Sequence, residues 1–235
     1  MKPLVSVIIP SYDEGKYLEN TLHAIENQNY TGNYEIIISD GGSKDNTLKI
    51  AKRHKTKIIL NNRRGIAVGR NTGAKVAKGK ILLFIDADTI AMPNLLTEFT
   101  KEFRNRKVVG VTCSVIPAKM NVQSLATYLS YNNISKLSMK GISPVVAGIC
   151  VAYRAKDFFK IGGFDENLHT FEDLDISRRI SKLGKIVFNL NTLSVTSTRR
   201  MDKFGSLKFF PGLMKLYLKF LTRRKIRIKE YRPVR

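Results

Sequence analysis

Short runs of β-branched and other apolar residues alternate along this chain with stretches whose apolar positions recur every three or four residues. The runs are Val5 to Ile9, Glu35 to Ser39, Lys57 to Leu60, Ile81 to Ile85 and Val108 to Val115. Between the first two, Tyr17, Leu18, Thr21, Leu22 and Ile25 share one helical face, and Ser43 to His54 reads as a second helix with Ser43 or Asp45 as its N-cap. Gly65 to Ala77 carries Gly69, Gly73, Ala74 and Ala77 on one side, which predicts a helix lying close to a sheet. Further on, Val145 to Tyr153 and Ser194 to Ser197 read as strands, and Ile176, Ile180 and Leu183 place a helical face after Glu172. This alternation predicts an α/β fold with a mostly parallel central sheet flanked by helices. In open sheets of this kind, ligands bind beyond the carboxyl ends of the strands. Polar residues gather at those ends: Pro10-Ser11-Tyr12-Asp13-Glu14, Asp40-Gly41-Gly42-Ser43-Lys44-Asp45 and Asp86-Ala87-Asp88.

Composition narrows the picture. A chain of 235 residues with no Gly/Ser linker, repeat or low-complexity stretch is expected to form one principal domain, over residues 1–204. The apolar run Leu4 to Ile9 is too short for a signal peptide's core, and no stretch reaches the ~18 apolar residues that mark a spanning helix. A cytoplasmic protein is expected. Cys113 and Cys150 sit in apolar surroundings and read as reduced core cysteines, while His23, His54 and His169 show no ligand spacing, so a zinc site is not expected.

The net charge of +22 is unevenly spread, with thirteen Lys/Arg against two acids from Arg199 to Arg235. After Pro211, apolar residues from Leu213 to Leu221 are interleaved with Lys215 and Lys219, and Arg223-Arg224-Lys225 follows. Residues 205–235 therefore read as a basic amphipathic segment suited to an anionic membrane face, which would make the protein peripheral on the cytoplasmic side of the membrane. A helix packed on the domain is the alternative. Nucleic acid is not an expected partner, since the chain lacks the aromatic and Arg interleaving of a single-strand platform and any groove-reading motif.

Asp86-Ala87-Asp88 ends the fourth apolar run and carries the chemistry. Magnesium and manganese take oxygen ligands and are commonly held by one or two carboxylates together with substrate phosphates. Taken with Val7 to Glu14, Ser39 to Thr47, Gly69-Arg70-Asn71-Thr72-Gly73, Gly162-Gly163-Phe164-Asp165-Glu166 and Glu172-Asp173, this motif makes the chain resemble family 2 inverting glycosyltransferases of the non-processive type, with the GT-A fold. The resemblance runs over roughly residues 4 to 200. It implies that Pro10, Tyr12 and Glu14 line a nucleotide pocket, that Asp40 contacts the base, and that Asp86 approaches the ribose or the metal. Asp88 would be the direct ligand of Mn2+ or Mg2+, and Arg70, Arg199 and Arg200 would face the diphosphate. Gly163, Phe164, Asp165 and Glu172 would form the acceptor side, with Asp173 as the general base. The donor would be a nucleotide-sugar and the acceptor a glycan or lipid-linked molecule.

Two other classes compete with this reading. A sugar-1-phosphate nucleotidyltransferase would carry a Gly-rich, basic loop directly after the first strand, where this chain has Pro10 to Glu14. A basic nucleic-acid-binding module is supported by charge alone. The Gln-x-x-Arg-Trp signature of processive polysaccharide synthases is absent, and the chain has no tryptophan.

Overall fold

The computed structural model describes residues 4–61, 63–141, 144–168 and 170–204. The basic segment 205–235, to which membrane contact was assigned, lies outside the described residues. Eight strands form one sheet: β1 (Val5–Ser11), β2 (Tyr34–Asp40), β3 (Thr56–Leu60), β4 (Ile81–Ile85), β5 (Thr89–Ala91), β6 (Val108–Pro117), β7 (Cys150–Arg154) and β8 (Lys185–Thr196), in the order β3-β2-β1-β4-β7-β6-β8-β5.

The sheet is mixed, with four parallel pairs and three antiparallel ones. Pairs β3–β2, β2–β1, β1–β4 and β6–β8 are parallel, whereas β4–β7, β7–β6 and β8–β5 are antiparallel. The cause lies in how the chain enters β7. Asp86 N, just past the end of β4, donates to Ile149 O, just before β7, at 3.0 Å. β7 thus starts at the edge where β4 ends, with no crossover to carry it to the other edge, and must run back antiparallel. Much of the stretch expected as a strand from Val145 is therefore loop.

Helices α1 (Leu18–Glu26), α2 (Thr47–Arg53) and α4 (Leu95–Glu102) cover one face. Leu18, Leu22 and Ile25 of α1 pack there with Ile50 of α2 and Phe99 of α4. Helices α3 (Ile66–Val76), α6 (Ala155–Lys160) and α7 (Glu172–Ile180) cover the other, around Phe84, Tyr153, Phe158 and Phe164. The small residues of α3 serve the close approach expected of them. A Cβ at Gly73 would stand 2.4 Å from Ile8 Cγ2, and one at Gly69 3.1 Å from Pro10 Cβ. Helix α5 (Val122–Ser138) opens on a capping box in which Asn121 accepts from Ser124 N. A six-residue helix, α8 (Arg199–Phe204), ends the described chain.

Helix α2 is shorter than its apolar pattern predicts. Ser43 and Asp45 do not cap it, because Ser43 Oγ donates to Asp40 at 2.6 Å and Asp45 Oδ1 accepts from Thr47 N at 2.9 Å. Such side chains offer the backbone a turn in place of a helix. Cys113 and Cys150 are free and buried. The hydrogen bond to Cys113, with burial, pushes the Cys150 thiol well above its ordinary range. Among the described residues, no helix is long and apolar enough to cross a membrane.

Candidate active site

The loops after β1 and β2 are stitched together by side chains. Asp13 N donates to Ser43 Oγ at 2.8 Å, Lys44 N to Asp13 Oδ1 at 2.7 Å, and Glu14 N to Thr47 Oγ1 at 2.7 Å. Asp13 adopts a left-handed backbone at φ 53°, a conformation that aspartate tolerates better than most residues. Asp40 was expected at the base. It is instead fully buried, and its carboxylate accepts from Ser11 Oγ, Ser43 Oγ, Gly42 N and Ser43 N at 2.6–2.9 Å. These bonds bend the chain at Gly42, whose φ of 88° suits glycine. Asp40 therefore builds the turn after β2. Pro10 and Tyr12 are half-buried on the neighbouring loop, and the Arg64 guanidinium lies 4.4 Å from the Tyr12 ring centroid. No sequence motif singled out Arg64.

A second group joins the loop after β1 to the last described helix. Arg199 donates to both oxygens of Glu14, at 2.6 and 2.7 Å, and its Nε lies 3.0 Å from Asp88 Oδ2. Burial works against the guanidinium's charge, but the Glu14 hydrogen bonds and the Asp88 charge outweigh it and raise its pKa. Arg199, expected at the diphosphate, is paired with Glu14 and with Asp88, the expected metal ligand. Arg200 is the next residue of α8, and its side chain is outside the described set.

The third group centres on Arg70, which is 2% exposed. Its Nη1 donates to Glu172 Oε1 at 2.9 Å, and its Nη2 to Asp86 Oδ1 at 3.1 Å and to Gly148 O at 2.7 Å. The expectation that Arg70 faces the diphosphate is corrected: it is a buried strut tying the Asp86 loop to the start of α7. The Gly148 contact explains why glycine stands there, since a Cβ would meet Arg70 Nη2 at 2.4 Å. Gly148 N in turn donates to Asp173 Oδ2 at 2.8 Å, and Leu174 N to Asp173 Oδ1 at 2.8 Å. Tyr131, on α5, fixes the same segment by accepting from Ala147 N at 2.6 Å, so its hydroxyl serves a structural bond.

One guanidinium here faces the charges of Asp86, Glu172 and Asp173. Burial first, and then the Asp173 charge, push the Glu172 carboxyl up to about 7 despite Arg70. Burial likewise raises Asp173, opposed by the Gly148 hydrogen bond and by Arg70. A single positive charge does not balance three negative ones in a poorly solvated place, which favours the protonated form of Glu172. Phe171, directly before these acids, sits at φ 66°, an uncommon conformation for a bulky residue and a mark of local strain at this helix start.

Gly163, Phe164 and Asp165 fall elsewhere. With Asn71, Lys75 and Arg179 they line a cavity of about 510 Å³ to which Asp40, Asp88 and Asp173 do not contribute. The Phe164 ring is 2% exposed in the aromatic core, and its backbone is clamped to α3 by Asn71, at 2.8 and 3.0 Å. Gly163, at φ 70°, could not carry a Cβ, which would meet Asn71 Oδ1 at 2.7 Å. These residues secure α3 rather than line the acid-bearing edge. The remaining acids follow one another along that edge through their partners: Asp40 through Ser11, Glu14 and Asp88 through Arg199, and Asp86, Glu172 and Asp173 through Arg70 and Gly148.

The donor set suits a hard divalent cation. Asp86 and Asp88 present carboxylate oxygens in a loop held from beneath by Thr21 Oγ1, which donates to Ala87 O at 2.8 Å. A cation there would share Asp88 with Arg199. The expectation that no histidines are grouped is corrected too: Glu19, His23 and His54 bring ligand atoms within 4.8 Å of one another. They lie on α1 and at the end of α2, with Glu19 and His23 four residues apart on one helix, a spacing that was legible in the sequence.

An α/β sheet of this strand order, with acids at its strand ends, is of the GT-A type. A family model described as Glycosyl transferase family 2 matches residues 6–162, and the chain belongs to that family. Chondroitin synthase of Escherichia coli is 27% identical over 189 residues, covering 77% of this chain and 27% of the relative. An uncharacterized glycosyltransferase of Rickettsia prowazekii is 28% identical over 201 residues, covering 81% and 63%. The chain thus spans only part of these relatives. Among solved structures, a mannosyltransferase from Pyrobaculum calidifontis in complex with GDP-Man and Mn2+ superposes with a TM-score of 0.65 at 21% identity, covering 83% of this chain and 57% of that one. S. aureus TarS in complex with UDP-GlcNAc gives 0.63 at 20%, covering 85% and 59%. These likenesses establish the fold.

Proposed function

We propose that the protein transfers a sugar from a nucleoside-diphosphate donor to an acceptor hydroxyl by single displacement, with inversion at the anomeric carbon. The observation that carries this reading is Asp173, a carboxylate with a raised pKa, tied through Gly148 and Arg70 to Asp86 in the strand-end loop.

Asp173 is the general base. Its oxygens are oriented by two backbone N–H groups, and burial makes it a better proton acceptor than a solvated aspartate, so it takes the acceptor hydroxyl's proton during attack. The turn built by Asp40 and the Pro10 to Glu14 loop bound the nucleotide, with Tyr12 and Arg64 as the ring and cation available to it. Arg199 adds positive charge at Asp88, where the leaving diphosphate gathers negative charge. Mn2+ or Mg2+, held by Asp88 with Asp86 beside it, would supply further charge against that leaving group. Arg70 holds Asp86, Gly148 and Glu172 in register without meeting the donor.

A glycan-type acceptor is consistent with relatives named for polymer substrates or products, including a poly(ribitol-phosphate) β-N-acetylglucosaminyltransferase of Staphylococcus aureus, 33% identical over 116 residues and covering 45% of this chain. We assign the basic sequence after Phe204 to an anionic lipid surface, at roughly 1 kcal/mol per Lys or Arg. This would bring the enzyme to a lipid-linked acceptor.

The test is a panel of sugar nucleotides with Mn2+, read as thermal stabilisation and as release of nucleoside diphosphate. One donor is expected to stabilise the wild type and D173N alike, with turnover lost in D173N alone. Equal turnover by D173N would remove Asp173 as base. Co-sedimentation of a chain ending at Phe204 with anionic vesicles tests the tail; retained binding would overturn the lipid assignment.

A further inference from the structure

Away from the strand-end loops, the outer side of the α1/α2 pair carries a group that the transfer reaction does not use. Glu19 and His23 lie one helical turn apart on α1, and His54 is the residue that closes α2. Glu19 Oε1 stands 3.9 Å from His23 Nε2 and 3.6 Å from His54 Nε2. The ligand atoms of a tetrahedral site with bonds of about 2.0–2.1 Å are separated by roughly 3.3 Å. A small inward movement of exposed side chains closes the difference, since His23 is 58% and Glu19 38% exposed.

The surroundings of the group point the same way. The His54 side chain is only 6% exposed, and its Nδ1 lies 2.9 Å from Glu26 Oε2. A carboxylate accepting from Nδ1–H fixes the tautomer in which Nε2 bears a lone pair, and here that nitrogen faces Glu19 and His23. This is the outer-shell arrangement by which proteins orient a metal-binding imidazole. Arg53 Nη2 holds the other oxygen of Glu19, Oε2, at 2.6 Å, which turns Oε1 toward the histidines. The two rings meet edge to face with centroids 5.0 Å apart, and ligand atoms of all three residues lie within 4.8 Å of one another.

We propose that Glu19, His23 and His54 form a transition-metal site fitted to Zn2+, with two imidazole nitrogens, one carboxylate oxygen and a fourth position for water. The ligand types separate it from the catalytic edge, since Asp86 and Asp88 offer oxygen alone and suit harder cations. Its place in the fold implies a structural task. Zinc would fasten the end of α2 to α1, whose opposite face holds Ala87 O through Thr21. The site is thus a brace behind the strand-end loop.

The test uses the full chain freed of metal by chelation, titrated with Zn2+ alone and followed by calorimetry and thermal melting. One equivalent is expected to bind and raise the melting temperature, and Co2+ in its place should give the visible absorption of a four-coordinate nitrogen and oxygen site. In H23A, which removes an exposed side chain, affinity should fall at least tenfold while the metal-free melting temperature is kept. E26Q should weaken binding by about tenfold, the usual effect of losing an outer-shell carboxylate. D88N should bind as the wild type does. The proposal is overturned if Zn2+ neither binds nor stabilises, if H23A binds as tightly as the wild type, or if D88N abolishes binding, which would put the metal at the catalytic edge.

Discussion

Two arginines organise the acid-bearing edge, and they differ in nearly everything except charge. Arg70 is buried beneath the edge and spans 102 residues of sequence to Glu172, satisfying two carboxylates and a carbonyl. Arg199 comes from the last described helix, is 14% exposed, and meets Glu14 and Asp88 at the rim. A buried charge with fixed partners is framework, because removing it strands its partners without water. A rim charge facing the same kind of acid can yield to, or cooperate with, an incoming cation or diphosphate. The first arginine should therefore show itself in stability and the second in ligand binding.

The largest effect is expected at Arg70. Replacing it with Met keeps the bulk but leaves the buried Glu172 and the part-buried Asp86 without their cation, a loss of about 3–5 kcal/mol in denaturant unfolding. Activity should vanish with it. Should R70M unfold at the wild-type midpoint, Arg70 is not the strut described here.

D173N comes next and acts on turnover. Loss of a positioned base is expected to lower kcat by about 10²–10⁴-fold while donor affinity is kept. In the wild type kcat should rise with pH until Asp173 is ionised, at a pH above the ordinary aspartate range because burial raises its pKa. D173N should lack this limb.

Glu172 supplies a stability test whose sign is fixed. Its ordinary pKa is 4.5 and the folded value is about 7, so the folded state holds the proton more tightly than the unfolded chain. The resulting contribution is fully present below pH 4.5 and is lost as pH rises through about 7. E172Q cannot lose a proton, and its melting temperature should stay flatter than that of the wild type across this window, by an effect on the order of 1 kcal/mol per unit of pKa shift. Parallel curves would show that Glu172 does not hold the proton. G148A probes the same centre sterically: its Cβ would crowd the guanidinium, costing about 1–3 kcal/mol in unfolding.

The sequence showed the partners of neither arginine. Periodicity located β1, β2, β3, β4 and β6 to within a few residues, and the small face of α3 foretold its contact with Ile8 and Pro10, because such patterns are local. Strand direction was not local: β7 runs antiparallel because of where the chain returns after α5, which no run of apolar residues encodes. The acids at the strand ends were legible as a group, but their partners were not. Arg70 reads as a diphosphate contact until the fold sets Gly148 and Glu172 against it. Asp40 and Phe164 were assigned to ligands by motif, and the fold instead assigns one to a turn and the other to the core. Arg199 was assigned to the diphosphate by motif and its place after the last strand, and nothing in the sequence pairs it with Glu14 and Asp88 as the fold does.

The smallest effect, at Arg199, separates the two arginines most sharply because its parts have opposite signs. In R199Q, Asp88 and Glu14 lose the guanidinium that neutralises them, so Mn2+ added without donor should bind more tightly, by about fivefold if the partly exposed pair is worth about 1 kcal/mol. The donor, which brings its own phosphates, loses a cation and should bind more weakly. Unfolding stability should move less than in R70M, since the freed Glu14 and Asp88 can take up the added metal. Calorimetric titration of Mn2+ with and without nucleoside diphosphate reads both parts. If R199Q weakened Mn2+ binding in the absence of donor, Arg199 would be organising the cation site from beneath, and the distinction between a framework arginine and an exchangeable one would collapse.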